Sequence, residues 1–242
     1  MRNARPLQIS SRTPIVPVPV LLGASAAGLA VCLLSALALS LPLRGVLVAG
    51  AGFAGLAGVL GLLMRARYPH GHFGACNLVT LIRAAIVCTL AGALAGGMAA
   101  GWAVAALATL ALALDGVDGW LARRHGLASG FGARFDVEVD SALALILSLH
   151  VLAGSAVGAE VLVLGLMRYV YVAAGWVLPW LRAALPPSQR RRVICVIQLG
   201  VLIALLTPWP DAAQAIWLAR AAAVALIWSF AVDIRTLHRM AR

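Results

Sequence analysis

Apolar runs close to the roughly 20 residues that carry a helix across a bilayer recur from Val18 to the C-terminus, and no polar stretch between them is long enough for a soluble domain. Such a chain has to fold as one polytopic helical membrane domain. The composition agrees: 63% of the 242 residues are hydrophobic and 11% charged, where a soluble domain carries about a quarter charged residues. Dividing the runs at Pro, Gly and Arg clusters predicts eight spans, at 18–41, 45–64, 77–97, 101–122, 135–154, 160–178, 193–208 and 212–234. Arg2, Arg5 and Arg12 precede the first run in the order of a signal peptide, but its apolar part is too long and more spans follow. It reads as a first transmembrane helix.

All 19 basic residues are arginines; against 8 acids they give a formal charge of +11, which in a soluble protein would point to nucleic acid. Topology explains them instead. With a cytoplasmic N-terminus, one side of the membrane holds Arg2, Arg5, Arg12, Arg65, Arg67, Arg123, Arg124, Arg134, Arg182, Arg190 to Arg192, Arg235, Arg239 and Arg242, and the other only Arg44. That asymmetry follows the positive-inside rule and predicts cytoplasmic termini. Aromatic residues are sparse, at 6%, and no arginines interleave with them, so no nucleic acid partner is expected. Cys32, Cys76, Cys88 and Cys195 share no CxxC spacing and mostly fall in apolar runs, which implies packing and neither a disulfide framework nor a zinc site.

Arg83, Arg168 and Arg220 fall inside spans, where a charge costs at least ~2.5–3.5 kcal/mol near the helix centre and is held by a partner or a polar cavity. Arg220, toward the far leaflet, reads as snorkelling or paired; Arg83 and Arg168 are functional suspects, with pairing to a buried acid the other reading. GAGFAG, with Gly50, Gly52 and Gly55, has the spacing of a dinucleotide-binding loop, but the chain has no acid before Asp115 to meet a ribose. Those glycines pack helices.

Five of the eight acids, Asp115, Asp118, Asp136, Glu138 and Asp140, lie within one 26-residue segment. Asp115 and Asp118, three apart at the end of one span, share a helix face, as do Asp136 and Asp140, four apart at the start of the next. The connection, with Gly126, Gly130 and Gly132, returns the chain antiparallel, so the four carboxylates converge at the cytoplasmic boundary. Glu138 should point elsewhere, toward Arg134.

Four carboxylates in a partly desolvated space repel one another unless cations offset them, and Mg2+ or Mn2+, two ions together, suit such oxygen ligands and the chemistry of a diphosphate. Gly116 and Gly119 leave room beside the aspartates for a phosphate, and Arg123, one turn on, can reach its oxygens. An interfacial salt-bridge network with Arg123, Arg124 and Arg134 and a cation pathway are the competing readings of the same acids. His70 and His72 read as solvated loop residues.

The segment resembles the signature of the CDP-alcohol phosphotransferases: Asp, two residues, Asp-Gly, two residues, Ala-Arg, eight residues, Gly, three residues, Asp, three residues, Asp. Every fixed position is present, as Asp115, Asp118, Gly119, Ala122, Arg123, Gly132, Asp136 and Asp140. NLVTLIR, from Asn77 to Arg83, is similar to the family's Asn-x-x-Thr-x-x-Arg element. The resemblance implies an all-α membrane bundle with a six-helix core over 77–242, preceded within 1–76 by a tail and two accessory helices. It implies transfer of a substituted phosphate from a CDP-linked donor to an alcohol with release of CMP. By position, Asp115, Asp118 and Asp136 would be metal ligands, Asp140 a second-metal ligand and general base, and Gly119, Ala122 and Arg123 would lie along the CDP diphosphate with Asn77 and Arg83 nearby.

CDP-diacylglycerol is the expected donor, with a CDP-choline type of enzyme acting on diacylglycerol as the variant and a cation transporter as the alternative from another class. A bacterial inner-membrane location, a cytoplasmic active site and a homodimer are also expected. The acceptor alcohol stays open: Arg168, Arg182 and Arg190 to Arg192 either bind a phosphate on it or form the positive-inside loop after Pro186 and Pro187.

Overall fold

The computed structural model describes residues 16–68, 73–124, 129–186 and 188–241. Arg2, Arg5, Arg12, His70, His72, Gly126, Pro187 and Arg242 lie outside them, as does the side chain of Ala122. The described chain forms eight α-helices and no strand: α1 (Val18–Ala38), α2 (Leu43–Arg67), α3 (Gly74–Ala95), α4 (Trp102–Arg124), α5 (Gly130–Gly154), α6 (Leu162–Val177), α7 (Gln189–Leu206) and α8 (Ala212–Met240). Helix is the expected answer where no water can satisfy backbone N–H and C=O groups. Large apolar side chains such as Leu22, Leu34, Leu37, Leu47 and Leu62 of α1 and α2 stand exposed, which suits a surface facing lipid. This is an integral membrane protein.

Seven helices are long and apolar enough to cross a bilayer, α6 counted with the 3-10 turn before it. The exception is α7. Arg190, Arg191 and Arg192 occupy its first turn, and the 14 residues that remain of its 18 span only ~21 Å at 1.5 Å per residue. The expected span 193–208 is thus present as the apolar part of α7, shorter than the other seven.

One correction concerns α5, which starts at Gly130 and not near residue 135. Ser129 caps it by accepting the N–H of Gly132 at 3.1 Å, so Gly130 and Gly132 belong to its first turn and not to the connecting loop. Serine at the cap position supplies the acceptor that the first turn lacks. The turn from α3 is closed in the same economical way. Gly97, at φ +87°, lets Met98 N–H reach Ala93 O at 2.9 Å and its own N–H reach Leu94 O at 3.0 Å.

The buried core runs through α3 to α8, with Leu90, Leu143, Leu147, Leu164, Leu202 and Leu205 almost wholly enclosed. A second cluster joins α1 and α2 to the outer face of α3 through Cys32, Ala49, Phe53 and Ala85. Helices α2 and α3 touch backbone to backbone: a Cβ on Gly45 would lie 2.7 Å from Gly92 O, and one on Gly92 would strike Gly45 O and come within 2.8 Å of the Ala49 methyl. Gly92→Leu is therefore expected to destabilise the protein by about 1–3 kcal/mol or more, because two packed helices have to part. Gly58→Leu, whose Cβ meets nothing within 4 Å, should leave thermal unfolding in detergent unchanged. Equal melting temperatures for the two variants would show that the contact is not tight.

Candidate active site

Helices α3, α4 and α5 converge on one charged cluster. Asp115 and Asp118 project from the last turns of α4, Asp136 and Asp140 from the first turns of α5, and Arg83 from the middle of α3. Arg83 is completely buried. Its Nη1 lies 3.1 Å from Asp115 and 3.0 Å from Asp118 and also meets Asp136, while Nη2 meets Asp140. Its Nε donates to Ala111 O at 3.2 Å, fixing the guanidinium plane against α4. The two face-matched pairs of aspartates thus come together as their spacing predicts.

Arg83 takes the pairing with buried acids that its place inside a span allows. Its guanidinium lies among the carboxylates, because a buried cation in an apolar bundle goes to the nearest anions. Asn77 is not at the cluster: its amide donates to Tyr68 Oη at 2.7 Å and to Phe73 O, tying the start of α3 to the end of α2. Thr80, which sequence reasoning did not place in the site, is. Its hydroxyl lies 3.0 Å from Asp118 Oδ2 and 3.1 Å from Cys76 O. The signal was available, since Thr80 stands three residues before Arg83 and so shares its helix face.

Exposure grades across the cluster. The side chain of Asp118 is 6% exposed, Asp140 17%, Asp115 30% and Asp136 34%. Asp115, Asp118 and Asp136 each offer an oxygen within 4.8 Å of the others. One guanidinium against four carboxylates leaves a formal charge of −3 in a half-buried space, and the donors are all hard oxygens. That set fits Mg2+ or Mn2+ and would suit no soft metal. On α4, Gly116 faces open space, and a Cβ on Gly119 would meet the guanidinium of Arg123, with Nη1 at 3.3 Å and Nη2 at 4.0 Å. Arg123 itself is exposed, and Arg124 stacks over Trp120 with its guanidinium 4.9 Å from the ring centre.

A cavity of about 500 Å³ opens beside the cluster, lined by Asp115, Asp136, Asp140 and Asp233 and by Arg168, Arg191 and Arg192. Glu138 does not turn to Arg134; it accepts from Arg168 Nη2 at 2.6 Å, since its face of α5 is the one that α6 packs near. Arg190 is pinned to Asp233 at 2.5 Å and to Ser229 Oγ at 2.9 Å, and Arg191 lies 3.4 Å from Asp233. Arg182 is exposed and is not on the cavity wall. Arg220 pairs with Glu160 at 3.4 Å, far from the site, as one of the two readings of it holds. A wider groove of about 720 Å³, between Leu56, Leu60 and Leu63 of α2 and Phe131 and Phe135 of α5, lies on the face of α5 turned away from the aspartates.

No curated protein and no solved structure is similar enough to count as a match. The family model described as CDP-alcohol phosphatidyltransferase does match, over residues 73–232, from just before α3 through most of α8. It takes in 160 of the 242 residues, with all four aspartates, Thr80 and Arg83. Helices α1 and α2 lie before it. A membrane-embedded transferase whose carboxylates gather at the end of a bundle is what both the geometry and the match describe, and the chain belongs to the CDP-alcohol phosphatidyltransferase family.

Proposed function

We propose that this enzyme transfers a phosphatidyl group from CDP-diacylglycerol to an alcohol and releases CMP, as a step of phospholipid synthesis. The observation that carries the reading is the oxygen cluster of Asp115, Asp118 and Asp136 with Asp140 beside it on the wall of a cavity. In the reaction the acceptor oxygen bonds to the phosphorus that bears the diacylglycerol. The bond from that phosphorus to the bridging oxygen breaks, and CMP leaves with the electron pair.

Asp140 takes the acceptor's proton; its carboxylate faces the cavity from α5 and is held by Arg83 Nη2. Asp115, Asp118 and Asp136, with Asp140 as a ligand to the second ion, would hold two divalent cations, in keeping with the metal dependence general in the family. Those ions, when bound, supply charge neutralisation on the diphosphate and on departing CMP. Arg83 restrains all four carboxylates. The nucleotide diphosphate is assigned to the stretch of α4 through Gly119, Ala122 and Arg123, where Gly116 and Gly119 leave the helix surface bare. The arginine asymmetry supports an active site facing the cytoplasm, where a nucleotide donor is made, in a bacterial inner membrane.

Gly116→Leu should then raise the donor KM by about 10- to 100-fold by filling that space. Stability should hold, since a Cβ there meets nothing within 4 Å; a normal donor KM would move the nucleotide elsewhere. The test of the whole reading is CMP release by the full-length protein with CDP-diacylglycerol, Mg2+ or Mn2+ and a panel of alcohols. No CMP from folded protein, with CDP-diacylglycerol, CDP-choline or CDP-ethanolamine as donor, would sink it and favour cation transport.

A further inference from the structure

The groove of about 720 Å³ between α2 and α5 takes no part in the chemistry assigned above. Among the described residues, neither α4 nor any of the four aspartates contributes to its lining. Residues 131, 134, 135 and 138 of α5, which do, lie on the side of that helix opposite Asp136 and Asp140. A reactant whose phosphorus meets the aspartates would therefore have to wrap around α5 to use this groove. Its other wall, α2, ends before residue 73, where the family match begins.

The walls are apolar, and their length is that of a lipid chain in one leaflet. Gly55 to Leu63 runs ~12 Å along α2 at 1.5 Å per residue, against about 15 Å for half of the roughly 30 Å hydrocarbon layer. Leu60 is buried, Leu56, Phe131 and Phe135 are half-buried, and Leu63 stands exposed, so a dry floor is flanked by apolar surface with nothing laid against it. The groove is held in shape at its charged end. There Tyr68 packs edge-on against Phe131, with ring centres 5.8 Å apart, and its hydroxyl accepts from Asn77 at 2.7 Å, joining the ends of α2, α3 and α5.

Charge says which lipid fits. Arg134 stands on the wall, and Glu138, one turn on, accepts from Arg168 at 2.6 Å. Two arginines against one carboxylate leave one positive charge in excess, and the amino end of α5 adds its dipole to it. We infer that this groove holds one phospholipid with an anionic headgroup as a bound, unreacting constituent of the enzyme, its acyl chain along Leu60, Phe131 and Phe135 and its phosphate at Arg134. Basic sites between membrane helices select such headgroups. A choline or ethanolamine headgroup would add an ammonium to an end that is already positive.

The experiment is native mass spectrometry of full-length protein in detergent with equimolar phosphatidylglycerol, phosphatidylcholine and phosphatidylethanolamine of identical chains, without CDP-diacylglycerol. We expect one retained lipid, phosphatidylglycerol over either of the others by about 10-fold or more, the worth of one charge-assisted hydrogen bond. Arg134→Gln should bring the three headgroups to equal retention. Gly55→Trp, which fills the groove from a position where a Cβ meets nothing within 4 Å, should abolish retention. Gly58→Leu, in the separate groove between α1 and α2, should behave as the wild type.

No retained lipid in the wild type overturns the inference, as does equal retention of the three headgroups. So does an anionic preference that survives Arg134→Gln, which tests the site whether or not Gly55→Trp folds. Gly55→Trp should also leave the KM for CDP-diacylglycerol at the wild-type value; a raised KM gives the groove to the donor's own diacylglycerol and overturns the inference too. Lipid retention is read without turnover, so absence of CMP release from every protein would count against phosphatidyl transfer alone.

Discussion

Asp140→Asn is expected to lower CMP release by about 10²–10⁴-fold, the contribution of a positioned general base. The variant keeps the size and most of the hydrogen bonding of the side chain and loses only its charge and its basicity. Arg83 Nη2 still has an oxygen to meet, so the protein should fold, and the loss should appear in kcat and not in the melting temperature. Asp118→Asn makes the informative comparison. It is the most buried of the four, on Thr80 and Arg83 together, so its loss should reach metal affinity and stability as well as rate. Activity in Asp140→Asn within a few-fold of the wild type would remove Asp140 from proton transfer, whatever became of the other three.

Arg83→Gln is expected to act on stability first. Removing the one cation shared by four half-buried carboxylates leaves their mutual repulsion uncompensated, and breaking a buried ion pair from one side typically costs about 3–5 kcal/mol. In EDTA the variant should unfold at much lower temperature than the wild type. Divalent cations should then restore more stability to the variant than they add to the wild type, because they take over the neutralisation that Arg83 provided. Arg83→Lys keeps the charge but cannot fork between Asp140 on one nitrogen and three aspartates on the other, so it should fall between the two. Equal melting temperatures for Arg83→Gln and wild type in EDTA would refute the idea that this arginine restrains the cluster.

The aspartate pairs were legible in the sequence because helical periodicity is local: spacings of three and four fix a shared face without any knowledge of neighbours. The partner of Arg83 was not, since 35 to 57 residues separate it from the aspartates other than Asp115, and spacing cannot say which way a third helix turns. Glu138 failed for the same reason. Arg134 lies one turn away along α5, but Arg168 comes from α6, and tertiary contact decided between them. The start of α5 was missed by reading boundaries from the first apolar residue, when Ser129 already signalled a cap. In the signature loop itself, residues 125–128 lie outside the described residues.

The shortness of α7 has a consequence for the lipid around it. A hydrophobic length of ~21 Å against a hydrocarbon layer of about 30 Å is a mismatch that a bilayer meets by thinning or by letting flanking side chains reach outward. Arg190 and Arg191 are engaged within the protein, but Arg192 is exposed at the end of this helix, and its charge is expected to draw headgroups and water toward the plane of the aspartates. A leaflet thinned beside α7 is the expected result. On the proposed function, a water-soluble acceptor and a lipid-borne donor would meet there at the same depth without either crossing the barrier that separates their solvents.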